Sequence, residues 1–161
     1  EVVRPNEKPR AYVQRVTALK LEAALQRLKN RGLTSAPILC SDTTVALGNT
    51  LFGKPDNAEH AKSMLQQLSG KTHRVLTAVS IGTQHKQSHA LSISQVQFAD
   101  LSKQEIDRYV ASQEPMGKAG SYAIQGKAAA FISHISGNYS GIMGLPMFET
   151  AHLLREFGFT V

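Results

Sequence analysis

The spacing of hydrophobic positions near the start of the chain predicts a long helix over residues 9–32. Pro9 suits a first helical residue, which needs no backbone donor, and Gly32 ends the pattern. One stripe of this helix carries Val13, Val16, Lys20, Ala24 and Leu28. The lysine in this apolar stripe has two explanations: Lys20 snorkels past the helix edge, or its ammonium points into a polar site.

Two short apolar runs, residues 38–40 and 45–47, flank a polar group at residues 41–44. This pattern predicts a strand, a turn and a second strand, with Asp42 interrupting a strand or at its edge. The stretch from Asp42 to Lys54 would then place a carboxylate and a cation near the two ends of a compact turn. A rigid carboxylate there could accept a proton or bind a metal. The alternative is an ordinary turn aspartate and a solvated lysine.

The rest of the chain alternates between helix and strand patterns joined by polar loops. Helices are predicted after residue 57, after the capping-box sequence at residues 102–105, and from residues 144–146 onward. Strands are predicted over residues 74–81, 89–98 and 128–135, with a loop at 136–141. The side chains expected to be buried are Ile106, Tyr109 and Val110 on the capping-box helix, and Met147, Phe148, Ala151 and Leu154 on the last helix.

Length and composition are those of one globular domain, with 161 residues, 42% of them hydrophobic and 19% charged. No run approaches the ~18 apolar residues of a membrane span, and no signal-peptide pattern is present. We therefore expect a cytoplasmic protein with no membrane partner. The single cysteine, Cys40, has apolar neighbours that favour a buried, inert thiol over a nucleophile.

The net charge is +6, from 18 Lys and Arg against 12 Asp and Glu, which is compatible with an anionic partner. Nucleic acid is disfavoured, because the basic residues are spread along the chain and no aromatic residues alternate with them. A phosphate-bearing small molecule would be attracted by the same field. A surplus of this size is also common on ordinary protein surfaces, so the charge alone decides nothing.

Three segments are candidates for one cleft, namely residues 42–55, 69–73 and 118–126. Each combines small residues, which let a backbone approach a ligand closely, with charged or amide side chains, as phosphate sites do. The stretch 116–126 has little hydrophobic drive, which is typical of a binding loop or of a tolerated surface insert. The sequence contains no P-loop, dinucleotide-binding, zinc-ligand or G-x-S-x-G pattern.

Five short motifs stand in register along the chain. They are D-T-T-V at residues 42–45, G-K-P at 53–55, L-S-G-K-T-H at 68–73, K-A-G-S-Y-A-I-Q-G at 118–126 and G-L-P at 144–146. Together they resemble the Maf family of nucleoside triphosphate pyrophosphatases over nearly the whole chain. The resemblance implies a house-cleaning enzyme that hydrolyses a nucleoside triphosphate between its α- and β-phosphates. It also implies an α/β fold with a mixed twisted sheet, flanking helices and two lobes around a cleft, a divalent metal (Mg²⁺ or Mn²⁺), and a homodimer.

The resemblance also assigns roles to single residues. It implies that Asp42 is the general base for an attacking water, and that Glu1 and Asp42 bind the metal. It implies that Lys20 and Lys54 face the phosphates, which would explain the lysine in the apolar stripe. In-line attack at phosphorus develops charge on the non-bridging oxygens, and metal ions and ammonium groups stabilise such charge.

The resemblance implies that Thr43 and Gln125 select the nucleobase. Lys118 opens the same loop as Gln125. The family divides at these positions: one branch has D-T-x-V and A-G-x-Y-x-I-Q-G and prefers dTTP and UTP, whereas a 7-methyl-GTP branch replaces the threonine and the Ile-Gln pair. This chain has the first set. The expected substrates are dTTP, UTP and modified pyrimidine nucleotides. A glutamine amide could pair with the donor and acceptor edge of thymine or uracil.

The chain departs from the family pattern in two places. Family members usually begin with a strand and a Ser-x-Ser-Pro-Arg-Arg loop upstream of Glu1, so we expect residues 1–161 to be a single Maf-like domain without that segment. The arginines of that loop would contact phosphate, and their loss would lower activity. Gly117 stands where an acidic residue commonly precedes Lys118, and Ala123 replaces a usual glycine.

The alternative to an enzyme is a binding protein. The same cleft and basic surface could serve a nucleotide- or nucleic-acid-binding regulatory module linked to septum formation. Pyrimidine triphosphate turnover that Asp42→Asn abolishes would support the enzyme, and tight binding without turnover would support the module.

Overall fold

The computed structural model describes residues 2–161. Their elements, in chain order, are α1 (Pro9–Asn30), β1 (Ile38–Leu47), β2 (Thr50–Phe52), α2 (Ala58–Leu68), β3 (Thr72–Gly82), β4 (Gln87–Phe98), α3 (Lys103–Ala111), two short 3₁₀ turns (Ala119–Ser121 and Lys127–Phe131), β5 (Ile132–Ser136), α4 (Tyr139–Met143) and α5 (Met147–Glu156).

The five strands form one sheet in the order β2-β1-β3-β4-β5. All four pairings within residues 2–161 are antiparallel, and β1 pairs with β3 along most of its length, from Ile38 opposite Gly82 to Ala46 opposite Arg74. The sheet has helices on both faces, and the α/β class expected from the sequence is confirmed.

The two faces of the sheet carry separate cores, because successive strand residues point to opposite sides. On one face, Val13 of α1 packs against Ala46, Leu76 and Ala78. On the other face, α2, α3 and the segment after α3 cover the larger core, which is built around residues such as Phe98. The predicted cleft segments therefore belong to a sheet that is covered on both sides.

Helix α1 begins with proline at its first turn, as predicted, but its buried stripe is shifted. The buried residues are Pro9, Val13, Val16, Thr17, Leu21 and Leu25. Ala24 and Leu28 are only half-buried at the rim of this face. Lys20 also lies at the rim, beside the buried face rather than within it.

The predicted turn around Asp42 is wrong, because β1 runs without interruption through the polar residues 41–44. Asp42 pairs across the strands with Ala78, and Thr43 with Thr77. Polar side chains are tolerated in mid-strand here because they face a cavity or an ion-pair partner rather than the apolar core. The turn lies instead at Gly48 and Asn49, between β1 and β2.

Three predictions in the C-terminal third need correction. The stretch predicted as a strand from residue 128 begins with a 3₁₀ turn, and β5 starts only at Ile132. The predicted loop at residues 136–141 contains the start of α4. On α5, Met147 and Phe148 are 57% and 66% exposed, whereas Leu153 is buried. The capping box of α3 and the burial of Ile106, Tyr109 and Val110 are confirmed.

Candidate active site

A cavity of about 220 Å³ lies beside β1 and is open to solvent. Its walls come from β1, β3, the loop after β2, the segment between α3 and β5, and α4. The lining residues are Ser41, Asp42, Thr43, Val45, Lys54, Val75, Gly117, Lys118, Ala119, Tyr122, Ala123, Ile124, Gln125, Ile142 and Met143. Five sequence-predicted site residues, Asp42, Thr43, Lys54, Lys118 and Gln125, therefore line one cavity.

The position of the cavity follows from the sheet. Strand β2 pairs with β1 only at residues 45–47, so within residues 2–161 the outer edge of β1 at 41–44 has no partner strand. Side chains from both faces of β1 therefore reach the same opening. Thr43 shares the face of Thr77, and Asp42 lies on the face covered by α1.

Asp42 forms an ion pair with Lys20 of α1, between Oδ1 and Nζ. The Asp42 side chain is only 13% exposed and that of Lys20 is 38% exposed. Lys20 does not snorkel away from the protein, because its ammonium contacts the carboxylate at the cavity wall. Partial burial strengthens this pair relative to one on the open surface.

Two further ammonium groups, those of Lys54 and Lys118, stand on loops at the cavity. The loops are joined by a hydrogen bond in which the Gly120 backbone nitrogen donates to the Gly53 carbonyl, at 3.0 Å. Neither ammonium forms an ion pair with a carboxylate in the part of the chain that the structure describes. This side of the cavity is therefore cationic and suited to an anionic ligand.

Gly120 allows this approach of the two loops. Its φ of +69° is a left-handed conformation, and a Cβ atom there would lie 2.9 Å from Val45 Cγ2. Any other residue would therefore be strained and would collide with β1. The glycine fixes the distance between the loop of Lys118 and the strand of Asp42.

Three hydroxyl groups from adjacent strands hold the segment around α4 against the sheet. Ser41 Oγ donates to the Gly144 carbonyl at 2.6 Å, Thr77 Oγ1 to the Gly141 carbonyl at 2.7 Å, and Ser94 Oγ to the Asn138 carbonyl at 3.2 Å. The same segment supplies Ile142 and Met143 to the cavity wall. These bonds therefore fix the part of the cavity wall that α4 supplies.

The loop that carries Gln125 is anchored by a buried histidine. His73 Nε2 lies 2.8 Å from the hydroxyl of Tyr122, which lines the cavity. Burial lowers the pKa of His73 to about 4, although the nearby Lys71 carbonyl raises it slightly. Nδ1 forms no hydrogen bond of normal geometry within residues 2–161. The ring is therefore neutral at pH 7 and acts as a support for Tyr122.

Glu114 fixes the other end of this loop. Its carboxylate accepts hydrogen bonds from the Lys127 nitrogen at 3.0 Å and from the Tyr109 hydroxyl at 3.0 Å. Desolvation raises the pKa of Glu114, but these bonds outweigh it and hold the pKa below its usual value. Hydrogen bonds from the Lys127 and Ala128 nitrogens therefore hold the start of the second 3₁₀ turn against the Glu114 carboxylate.

The second predicted cleft segment, residues 69–73, does not line the cavity. Ser69 accepts a hydrogen bond from the Leu101 nitrogen, and Lys71 Nζ donates to the Gln67 carbonyl. Only His73 reaches the site, indirectly, through Tyr122. Sequence reasoning included His73 only as the end of this cleft segment and did not single out Thr77, although both share one face of β3 with Val75.

The predicted metal ligands are only partly described. Glu1 lies outside the described residues, and Asp42 is the one carboxylate among the cavity-lining residues within 2–161. No group of three or more His, Cys, Asp or Glu residues suited to a metal occurs within that range. Residues 2–8 are held to α1 by Arg15, which binds the Glu7 carboxylate through Nε at 2.6 Å and the Val2 carbonyl at 3.0 Å.

The fold and the cavity define an α/β protein with an acid, several lysines and an amide around one opening. Residues 1–157 match the sequence profile of the family described as "Maf-like protein", and the chain belongs to this family.

Relatives of known name are similar over almost the whole chain. A protein of Albidiferax ferrireducens named dTTP/UTP pyrophosphatase is 65% identical over 161 residues, which are 100% of this chain and 80% of the relative. Proteins of the same name from Cupriavidus metallidurans and Nitrosomonas europaea are 63% and 52% identical, over 98% of this chain and 79% and 76% of their own lengths. No helix within residues 2–161 is both long and apolar enough to cross a membrane.

Proposed function

We propose that this chain hydrolyses dTTP and UTP to the nucleoside monophosphate and pyrophosphate. The observation that carries the proposal is one cavity lined by the acid Asp42, the lysines Lys54 and Lys118 and the amide Gln125. The names of relatives similar over the whole chain support the same substrates. A regulatory module linked to septum formation is not favoured, because those relatives are named as pyrophosphatases.

The lysines supply the phosphate-binding side. A triphosphate carries several negative charges, and Lys54 and Lys118 would bind its non-bridging oxygens with charge-assisted hydrogen bonds. Lys20 stands next to Asp42 and would face the phosphate nearest the reacting bond. These ammonium groups stabilise the charge that develops as the bond between the α- and β-phosphates breaks.

The apolar wall supplies the base-binding side. Val45, Val75 and Ile142 would contact the flat faces of a pyrimidine, and Thr43 and Gln125 offer polar atoms to its edge. The apolar wall also suits pyrimidines that carry an added methyl group. Gln125 is exposed, so its amide can rotate to match the edge of the base.

Asp42 is the group we assign to proton transfer. A water molecule attacks the α-phosphorus, its proton passes to the Asp42 carboxylate, and pyrophosphate leaves with the electrons of the broken P–O bond. The ammonium of Lys20 holds the Asp42 carboxylate in a fixed orientation before the attack.

The donor set of the cavity fits a divalent metal such as Mg²⁺ or Mn²⁺. Mg²⁺ is commonly held by one or two carboxylates together with substrate phosphates and water, and Asp42 offers one such carboxylate at the cavity wall. Glu1 stays a predicted second ligand. When bound, the metal would neutralise phosphate charge and polarise the phosphoryl group. The homodimer likewise stays a prediction from the resemblance, and the cytoplasmic location stays a prediction from the hydrophobicity pattern of the sequence.

A panel of nucleotides tests the proposal. Purified protein is incubated with dTTP, UTP, CTP and 7-methyl-GTP, with Mg²⁺, with Mn²⁺ or with a chelator, and the products are separated by ion-exchange chromatography. We expect monophosphate and pyrophosphate in equal amounts from dTTP and UTP, and no turnover with chelator. Release of nucleoside diphosphate and inorganic phosphate, or wild-type inertness with tight nucleotide binding, would contradict it.

A further inference from the structure

A chain of two hydroxyl groups leads from the cavity into the sheet. Thr43 Oγ1, on the cavity wall, lies 2.9 Å from Thr77 Oγ1 on the neighbouring strand. Thr77 Oγ1 in turn lies 2.7 Å from the Gly141 carbonyl. Thr77 is only 1% exposed, so no solvent competes for its hydroxyl.

The direction of these hydrogen bonds follows from the number of protons. A carbonyl oxygen only accepts, so the single hydroxyl proton of Thr77 is donated to Gly141. The bond between the two threonines then needs its proton from Thr43. The Thr43 hydroxyl therefore presents lone pairs, and no proton, to the cavity.

We propose that Thr77 is a specificity-determining residue, which acts by fixing the Thr43 hydroxyl as an acceptor for the N3–H group of uracil or thymine. Cytosine carries a lone pair at N3, and two facing lone pairs repel each other. Thr77 does not touch the substrate in this account and is a positioning residue. The inference rests on the proposed function, because it names how that site distinguishes UTP from CTP.

The amide of Gln125 alone would discriminate poorly between uracil and cytosine. A glutamine amide has both a donor and an acceptor and can reverse them by rotating, so it can pair with uracil or with cytosine. A hydroxyl whose proton is already used has no such freedom. Because Thr77 fixes the Thr43 hydroxyl as an acceptor, the cavity has a fixed preference for bases that carry a proton at N3.

Thr77→Val tests the inference, since valine keeps the shape of threonine and removes the hydroxyl. The Gly141 carbonyl keeps a bond from the Gly144 nitrogen at 3.2 Å, so the variant does not leave it unpaired. The freed proton of Thr43 can then turn to cytosine N3. Binding of α,β-imido-UTP and α,β-imido-CTP, which resist cleavage, is measured by titration calorimetry. We expect the ratio of the two affinities to fall by about tenfold, the effect of exchanging one ordinary hydrogen bond.

Two further variants distinguish a changed hydrogen-bond direction at Thr43 from a general loosening of the cavity wall. Thr77→Ser restores a hydroxyl and should restore the preference for the uracil analogue. Ser94→Ala removes the neighbouring hydroxyl that holds Asn138 but leaves Thr43 and Thr77 untouched, so it should keep the wild-type ratio. An equal fall of the ratio in Ser94→Ala would overturn the inference.

The same measurements distinguish this inference from the proposed function. If wild-type protein hydrolyses UTP and Thr77→Val leaves the affinity ratio unchanged, only the role of Thr77 is refuted. α,β-Imido-dUTP is titrated alongside, and a change confined to the ratio of the UTP and dUTP analogues would also refute it, because Thr43 would then contact the ribose. Wild-type protein that neither cleaves UTP nor binds either analogue refutes both.

Discussion

The burial of His73 leads to a quantitative prediction of how the stability depends on pH. His73 is 1% exposed, and burial lowers its pKa in the folded protein to about 4, against an ordinary value of 6.5. Above pH ~6.5 the ring is neutral in both the folded and the unfolded chain and contributes no pH dependence. Below that pH, His73 binds a proton in the unfolded chain but stays neutral in the folded protein, so the stability falls as the pH falls.

The size of the effect follows from the difference between the folded and unfolded pKa of His73. A pKa difference of one corresponds to about 1.4 kcal/mol, so the protein should lose roughly 3 kcal/mol of unfolding free energy between pH ~6.5 and pH ~4 through His73 alone. Below pH ~4 the folded ring is protonated as well, and the loss from this group levels off. A loss of this size is a large part of the total stability of an ordinary domain.

Urea unfolding at several pH values between about 7 and about 4 measures this loss, with His73→Gln as the test variant. Glutamine keeps a polar group near the Tyr122 hydroxyl but does not titrate. The variant should be the less stable protein near neutral pH, and its deficit should shrink by roughly 3 kcal/mol as the pH falls to ~4. His134→Gln, which removes an exposed histidine, should keep the wild-type pH dependence. A constant difference between wild type and His73→Gln at all pH values would refute the reasoning.

Three substitutions test other parts of the structure. Gly120→Ala should destabilise the protein by about 2–3 kcal/mol in urea unfolding and should lower UTP turnover. The reason is that the left-handed backbone and the contact with Val45 exclude a side chain at this position. Unchanged stability would contradict the geometry. Lys54→Met should raise the KM for UTP by at least about tenfold in initial-rate assays, whereas Lys103→Met, at an exposed site outside the cavity, should not. Ser102→Ala should cost about 1 kcal/mol in thermal or urea unfolding by removing the cap of α3, and a loss near zero would show that the cap is dispensable.

The sequence predicted those elements whose signals are local. The strand patterns of β3 and β4 and the capping box before α3 each depend on residues within a few positions of one another, and the structure has all of them. The turn predicted at Asp42 failed for the opposite reason. A polar run in mid-strand is stable only because α1 supplies Lys20 on one face and the cavity lies on the other, and neither is visible from the run itself.

Part of the site could also be found from the sequence and part could not. Asp42, Lys54, Lys118 and Gln125 stand in short motifs, and the structure gathers them at one opening. Lys20 stands in no such motif and joins the site through its ion pair with Asp42. Thr77 and His73 belong to the site through partners far along the chain, Gly141 and Tyr122. Their contribution depends on the register of the sheet and on burial, which no short motif encodes.

The most direct test of the central claim is pyrophosphate release from UTP by the Asp42→Asn variant, in the presence of Mg²⁺. Asp56→Asn is the matched control, because Asp56 is 84% exposed and lies outside the cavity. The account predicts wild-type kcat for the control and a fall in kcat of about 100-fold or more for Asp42→Asn, with the folded structure retained by circular dichroism. Asp42→Asn with wild-type kcat would contradict the assignment of the reaction to this cavity.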